Sequence, residues 1–329
     1  MRARLAISLC TTALVAAQAA LAQTPTGTTP TPGPAPAPAR GSASFHAVGG
    51  LTTRKVRYYA SGQFVVLRGR VKPYVAGQAL TLQVVRRGKV SKRIRRAVHA
   101  RGRFTFRFKV GSPARLRLVV KHRATPQQKA FRARDTTIDV VRWSAGAGAR
   151  GTHVLLLQRA LLSLGFATPV TGYFDAGTAR AVTAFRKTNL MGTTGYASTA
   201  VYGKLFRGKG AFKLRYPKAG TKGKHVEFDW SRQVLVLAQG GHAHRVYHAS
   251  SGKPSTPTVF GSFHFYSKTP GTNSHGMVDS NYFVGGYAVH GYPSVPNYAA
   301  SHGCIRVPIP NARQIYDWIA LGDPIFIYQ

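Results

Sequence analysis

In the stretch RFTFRFKV, Phe104, Phe106, Phe108 and Val110 alternate with Thr105, Arg107 and Lys109. A period of two puts the rings on one face of a strand and the cations on the other. LTLQV repeats the alternation at Leu80, Leu82 and Val84, and RLRLVV repeats it again. Gly and Pro interrupt these runs, so residues 43–143 are expected to form a basic β-sandwich of immunoglobulin-like type.

The period then changes. HVLLLQRALLSLGF places Val154, Leu157, Leu161 and Leu164 on one helical face, and Gly165 follows as a stop. Asp175 stands where it can cap a second helix that turns Ala179, Val182 and Phe185 inward. A third short helix is expected over 199–206, so residues 148–210 read as a small three-helix bundle. Residues 211–223 form a basic linker with Gly and Pro. Residues 224–329 read as mostly β, with a hairpin at Gly240-Gly241. The one helix expected there lies in NARQIYDWIALG, with Asn311 as N-cap and Gly322 as stop. The expected fold is therefore multidomain and mainly β: a sandwich, a helical bundle and a mostly-β last domain.

Two N-terminal segments stand outside this scheme. Arg2 and Arg4 precede an apolar run over 5–17 and the small-x-small pattern Ala20-Leu21-Ala22. Residues 1–22 are therefore expected to be a signal peptide, cleaved after Ala22. Retention as an anchor is the rival reading, but the run is shorter than the roughly 20 residues a spanning helix needs. No stable membrane span is expected after cleavage. Residues 23–42, rich in Pro, Thr and Ala, read as an extended linker.

Charge divides the chain. The formal net charge is +39 with eight acidic residues. Residues 43–143 hold 25 Lys/Arg against Asp135 and Asp139, whereas 225–329 hold six against five. A basic domain usually suggests nucleic acid, but an exported protein seldom meets any, so no nucleic-acid partner is expected. Polyanionic cell-envelope polymers, such as anionic wall polymers, or anionic lipid head groups would attract the same domain, although an Arg-rich composition without a partner accounts for it equally.

Candidate chemistry concentrates in YAVHGYPSVPNYAASHGCIRV, residues 287–307. Cys10 would leave with the signal peptide, making Cys304 the sole cysteine of the exported chain. His290 ends an apolar strand, and Pro293 and Pro296 in the following loop could fold it back toward the thiol. Gly303 would allow a sharp turn beside the nucleophile. His302 could donate to a substrate or could simply pack. The acids of this domain are Glu227, Asp229, Asp279, Asp317 and Asp323, none near the thiol in sequence, which argues against a paired-carboxylate glycosidase. Eight histidines lie here, and SHGMVD looks like a ligand fragment. No His-Glu-x-x-His or Cys-x-x-Cys spacing occurs, so no metal and no cofactor are expected.

Two resemblances add to this reading. Leu157-Gln158, Leu161, Gly165, Gly172-Tyr173-Phe174, Thr178, Ala181-Val182, Phe185, Thr199 and Leu205 resemble the small peptidoglycan-binding domain of wall enzymes. That resemblance implies a location at the cell wall. His290-Gly291 followed by Ser301-His302-Gly303-Cys304-Ile305-Arg306-Val307 is similar to the signature of the L,D-transpeptidase (YkuD-like) catalytic domain. SSGKPSTPTVFGSFHF and GGYAVHG add upstream matches, over about residues 224–328.

The second resemblance implies roles. Cys304 would be the nucleophile, His290 the general base and the Gly291 carbonyl its orienter. The amides of Gly303 and Cys304 would receive the oxyanion, with His302 part of the site's architecture. Ser301, Arg306 and Tyr287 would support the site or bind substrate. The implied reaction releases the terminal D-Ala of a peptidoglycan tetrapeptide stem through a thioester, and an amine of a neighbouring stem then makes a 3→3 cross-link. Water in place of the amine would give an L,D-carboxypeptidase. A non-catalytic wall-binding protein and a zinc-dependent wall peptidase are the competing readings.

Overall fold

The computed structural model describes residues 37–220 and 223–329. The expected signal peptide and residues 23–36 of the expected linker lie outside the described residues. The linker's last part is not free of the sandwich. Ala39 exchanges backbone hydrogen bonds with Gln127 and Lys129, both at 2.9 Å, and the first strand begins at Ser42.

Ten strands follow: β1 (Ser42–Val48), β2 (Leu51–Thr52), β3 (Arg57–Ala60), β4 (Phe64–Lys72), β5 (Ala79–Arg86), β6 (Lys89–Ala97), β7 (Arg103–Lys109), β8 (Ala114–His122), β9 (Phe131–Arg132) and β10 (Thr136–Val141). They form two sheets, β1-β4-β7 and β2-β3-β10-β8-β5-β6, with β9 on β8. In β7, Phe104, Phe106 and Phe108 are buried while Arg103, Thr105, Arg107 and Lys109 are exposed, as the period of two demands. Leu67, Leu82, Leu118 and Tyr59 fill the space between the sheets.

Three helices come next: α1 (Thr152–Ser163), α2 (Ala176–Thr188) and α3 (Thr199–Leu205). Asp175 caps α2, its side chain accepting from the Thr178 N–H at 2.7 Å. Gly165 does more than end α1. At φ +90° it lies so close to the last domain that a Cβ there would sit 2.7 Å from the Ala243 carbonyl oxygen.

That close approach reflects a shared core. Leu157, Leu161, Phe166 and Phe185 pack in one cluster with Val234, Val236, Ala238 and Val246 of the last domain. Phe212 and Leu214 join the same cluster, so part of the expected linker 211–223 is core. Its next residues are pinned too. Buried Glu227 accepts from the Arg215 and Tyr216 N–H groups at 3.0 and 2.8 Å.

The last domain comprises β11 (His225–Asp229), β12 (Val234–Gln239), β13 (His242–His248), β14 (Gly261–His264), β15 (Ser267–Thr272), β16 (Val278–Val284), β17 (Tyr287–Tyr292), β18 (Ile305–Pro308), α4 (Ile309–Trp318) and β19 (Pro324–Tyr328). Its sheets run β13-β12-β11-β19-β14 and β15-β16-β17-β18. Phe228, Leu235 and Leu237 of the first meet Phe283, Val289, Ile305 and Val307 of the second, with Ile315 of α4. Helix α4 begins earlier than Asn311, with Pro308 at its N-cap, because Pro310 is tolerated in a first turn where no donor is lost. It ends at Trp318, ahead of Gly322.

Candidate active site

The site is built by a parallel pair. Strands β17 and β18 pair with Val289 opposite Ile305 and His290 opposite Arg306. Paired residues of a sheet share a face, and so do residues two apart. His290 and Arg306 therefore project to the same side, and Cys304, in the bend that leads into β18, lines one cavity with both. Fourteen residues of sequence separation collapse because Cys304 directly precedes the strand that pairs with the one carrying His290.

His290 is buried, and its Nδ1 lies 2.9 Å from the Gly291 carbonyl oxygen. A carbonyl can only accept, so Nδ1 carries the proton and Nε2 keeps its lone pair. Burial draws the imidazole pKa down to about 4; the Gly291 carbonyl opposes this and the nearby Arg306 charge adds to it. Burial also pushes the Cys304 thiol above its ordinary value, against a hydrogen bond from the Ala288 backbone and the Arg306 charge. The resting pair at neutral pH is thus imidazole and thiol. Sγ sits 3.7 Å from the Gly286 carbonyl oxygen. Cys304 is the free cysteine among the described residues.

The 301–304 turn is held rigidly. Ser301 is buried, and its Oγ accepts from the Gly303 N–H at 3.1 Å and donates to the Cys304 carbonyl. The Gly303 amide, expected to receive an oxyanion, is therefore already engaged. Thr258 Oγ1 donates to the Gly303 carbonyl at 2.6 Å and accepts from the Gly252 N–H at 2.9 Å. Ser251, held by the Gln233 side chain, accepts from the Ala300 and Ser301 N–H groups. Thr258, Ser251 and Gln233 are positioning residues that the candidate set omits. Thr258 and Ser251 belong to the SSGKPSTPT run, whose resemblance to the family was a signal without assigned roles.

A cavity of about 330 Å³ opens over the thiol, lined by His290, Tyr292, Ser301, His302, Cys304 and Arg306, together with His275 and Met277. Arg306 stacks on the Tyr292 ring, 4.0 Å from its centroid, and Tyr292 meets the His290 ring edge-on at 5.8 Å. His302 is exposed, with Nε2 3.4 Å from Lys253 Nζ. Tyr287 is not among the lining residues. Its ring packs under Gly303, where a Cβ would fall 1.8 Å from Cε1, so it supports the turn.

SHGMVD takes a different part from the metal fragment it resembles. His275 and Met277 sit on the β15–β16 turn, which Asn273 Oδ1 closes by accepting from both of their N–H groups at 3.0 Å. Asp279 turns to the Gly271 N–H at 2.9 Å. Among the described residues no three His, Cys, Asp or Glu side chains group to hold a metal ion.

Comparison with known proteins gives two family matches. Residues 223–327 match the L,D-transpeptidase catalytic domain (YkuD), and residues 150–205 match a peptidoglycan binding domain. The latter follows the sandwich instead of opening the chain. The crystal structure of an L,D-transpeptidase from Xylanimonas cellulosilytica is similar at a TM-score of 0.53 and 30% identity, covering 57% of this chain and 98% of that one. L,D-transpeptidase 1 of Mycobacterium tuberculosis is 35% identical over 116 residues, 29% of this chain and 46% of the relative. The chain thus spans about half the length of the curated relatives it matches.

Proposed function

The chain belongs to the family of L,D-transpeptidase (YkuD) catalytic domains, and from that premise we propose that it is a peptidoglycan L,D-transpeptidase acting through a Cys304 thioester. The observation that carries the reading is His290, its Nδ1 held on the Gly291 carbonyl, lining one cavity with the Cys304 thiol.

In the first half-reaction Nε2 of His290 takes the thiol proton as Sγ attacks the carbonyl that precedes the terminal D-Ala of a tetrapeptide stem. The C–S bond forms, the C–N bond breaks, and the proton leaves with D-Ala. With the Gly303 amide engaged by Ser301, the Cys304 amide is the remaining donor for the oxyanion. In the second half-reaction a stem amine resolves the thioester and forms a 3→3 link, or water resolves it and leaves a tripeptide. A carbonyl orienting the base suits a site whose acids lie elsewhere.

The expected partners are peptidoglycan stems, and the two matched domains imply an extracytoplasmic or cell-wall location. No helix of the described residues is long and apolar enough to cross a membrane. For the sandwich, β6 carries exposed Lys92, Arg93, Arg95 and Arg96 at a sheet edge. This row is suited to anionic wall polymers, and edge cations also block edge-to-edge pairing. Salt-sensitive pelleting with isolated walls, lost when the four are changed to serine, separates the two roles.

The deciding experiment mixes the protein with disaccharide-tetrapeptides and follows products by mass spectrometry. D-Ala release and cross-linked dimers are expected, both absent in Cys304→Ala. Turnover that survives in Cys304→Ala and is lost to a chelator would refute the cysteine mechanism.

A further inference from the structure

A second cleft, of about 580 Å³, runs along the junction of the helical bundle and the last domain. Ala179, Arg180 and Thr183 of α2 form one wall, and Pro293, Val295 and Pro296 of the loop after β17 form the other. The cleft adjoins the catalytic cavity, with Tyr292 lining both. Its far wall is fixed from both domains. His248 Nε2 bonds the Val295 carbonyl at 2.7 Å, and Asn297 Nδ2 donates to the Thr193 carbonyl at 3.1 Å. Lys187, seven residues after Arg180 on α2, is buried and bonds His248 Nδ1 at 2.8 Å.

No lining residue of the cleft is acidic. Arg180 is half-buried there, and its Nε is fully enclosed without a hydrogen-bond partner among the described residues. Burial works against its charge, and the Asp175 carboxylate partly offsets this. A half-buried guanidinium held in no ion pair among the described residues favours an anionic ligand, and a carboxylate meeting its accessible edge would supply the missing charge.

The chemistry says which ligand. The amine that resolves the thioester must give a proton to His290, and the departing D-Ala amine receives one from it. Both therefore use the imidazole side of the thioester. Tyr292 stands on that side, edge-on to His290, whereas Sγ's other neighbours, Gly286 and Ala288, belong to the β16–β17 turn and the start of β17. We propose that the interdomain cleft binds the acceptor peptidoglycan strand, a stem carboxylate on Arg180, and leads its amine past Tyr292 to the thioester. The proposal rests on the transpeptidase reading. The amine nitrogen attacks the thioester carbon, the C–N bond forms and the C–S bond breaks. The amine proton passes through His290 Nε2 to the Cys304 sulfur. Water takes the amine's place when the cleft is empty.

The test is the ratio of cross-linked dimer to hydrolysed tripeptide, with disaccharide-tetrapeptide as donor and acceptor. Arg180→Gln is expected to lower it about tenfold, the effect of one lost charge-assisted hydrogen bond, and Arg180→Lys to restore part of it. An acceptor with amidated carboxylates should show the low ratio with either protein. A smaller folded fraction lowers both products together and leaves the ratio alone, so misfolding does not imitate the effect. An unchanged ratio in Arg180→Gln overturns the acceptor cleft and leaves the enzyme reading standing. A wild type that makes neither product overturns both.

Discussion

Replacing Gly303 by alanine adds one methyl group at the most constrained point of the site. Its Cβ would lie 1.8 Å from Cε1 and 2.5 Å from Cδ1 of Tyr287, far inside the contact distance of two carbons. The backbone there has φ +119°, where L-residues are strained whatever the space. Forcing the methyl group against the ring costs about 1–3 kcal/mol as overpacking. Holding alanine at this φ costs a further ~1–3 kcal/mol. A total of about 2–6 kcal/mol is a large part of the roughly 5–15 kcal/mol that stabilises a typical domain. The turn can escape by flipping, but that breaks the bonds from Thr258 to the Gly303 carbonyl and from Gly303 to Ser301. Urea denaturation reads the stability and iodoacetamide labelling of Cys304 reads the turn. Gly303→Ala should lose at least about 2 kcal/mol. In a Tyr287→Ala background the same change should cost less by the overpacking share, because the ring is gone while the φ strain stays. A Gly303→Ala protein with wild-type stability and wild-type labelling would refute the reasoning.

Other consequences follow from the charges. With the thiol raised and His290 near 4, Cys304 is protonated at rest, so alkylation by iodoacetamide should climb about tenfold per pH unit from pH 6 to 8. A plateau across that range would mean a resting thiolate–imidazolium pair and would contradict the site described. Burial lowers Lys187 to about 7 from the 10.5 of an exposed lysine. The unfolded chain then holds the extra proton between those values, so this residue's contribution to stability rises from pH 7 to 10.5 and is lost as pH falls through 7. Lys187→Met should flatten that rise and cost about 1–3 kcal/mol by stranding the carbonyls of Gln233 and Ala249, measured by denaturation at several pH values.

The sequence yields what depends on neighbours along the chain. The alternation in β7, the leucine face of α1 and the Asp175 cap are all local, and the structure places them where the pattern does. The His290–Cys304 pairing was suggested by residue types, but its geometry comes from the parallel register of β17 and β18, which no local pattern encodes. Gly303 marked a turn without revealing that its amide would be occupied by Ser301, two residues back. Tyr287 opens β17, and only the packing shows its ring lying beneath Gly303. Asn311 failed as a cap because a favourable residue type gave no information on where Pro308 and Pro310 would start the helix. Arg180 carried no signal in the sequence, since the cleft it lines is completed by a wall from another domain.

The core shared by α1, α2 and the β12–β13 hairpin separates the unit of recognition from the unit of folding. The family boundary at residue 223 runs through that core. An excised catalytic domain would present Val234, Val236, Ala238 and Val246 to water, an apolar sheet face ready to aggregate. Transplanting the helical bundle between relatives would likewise need its counterpart hairpin to travel with it. What recombination could treat as two modules, physics treats as one piece, cut where the chain is easy to read and not where it is easy to part.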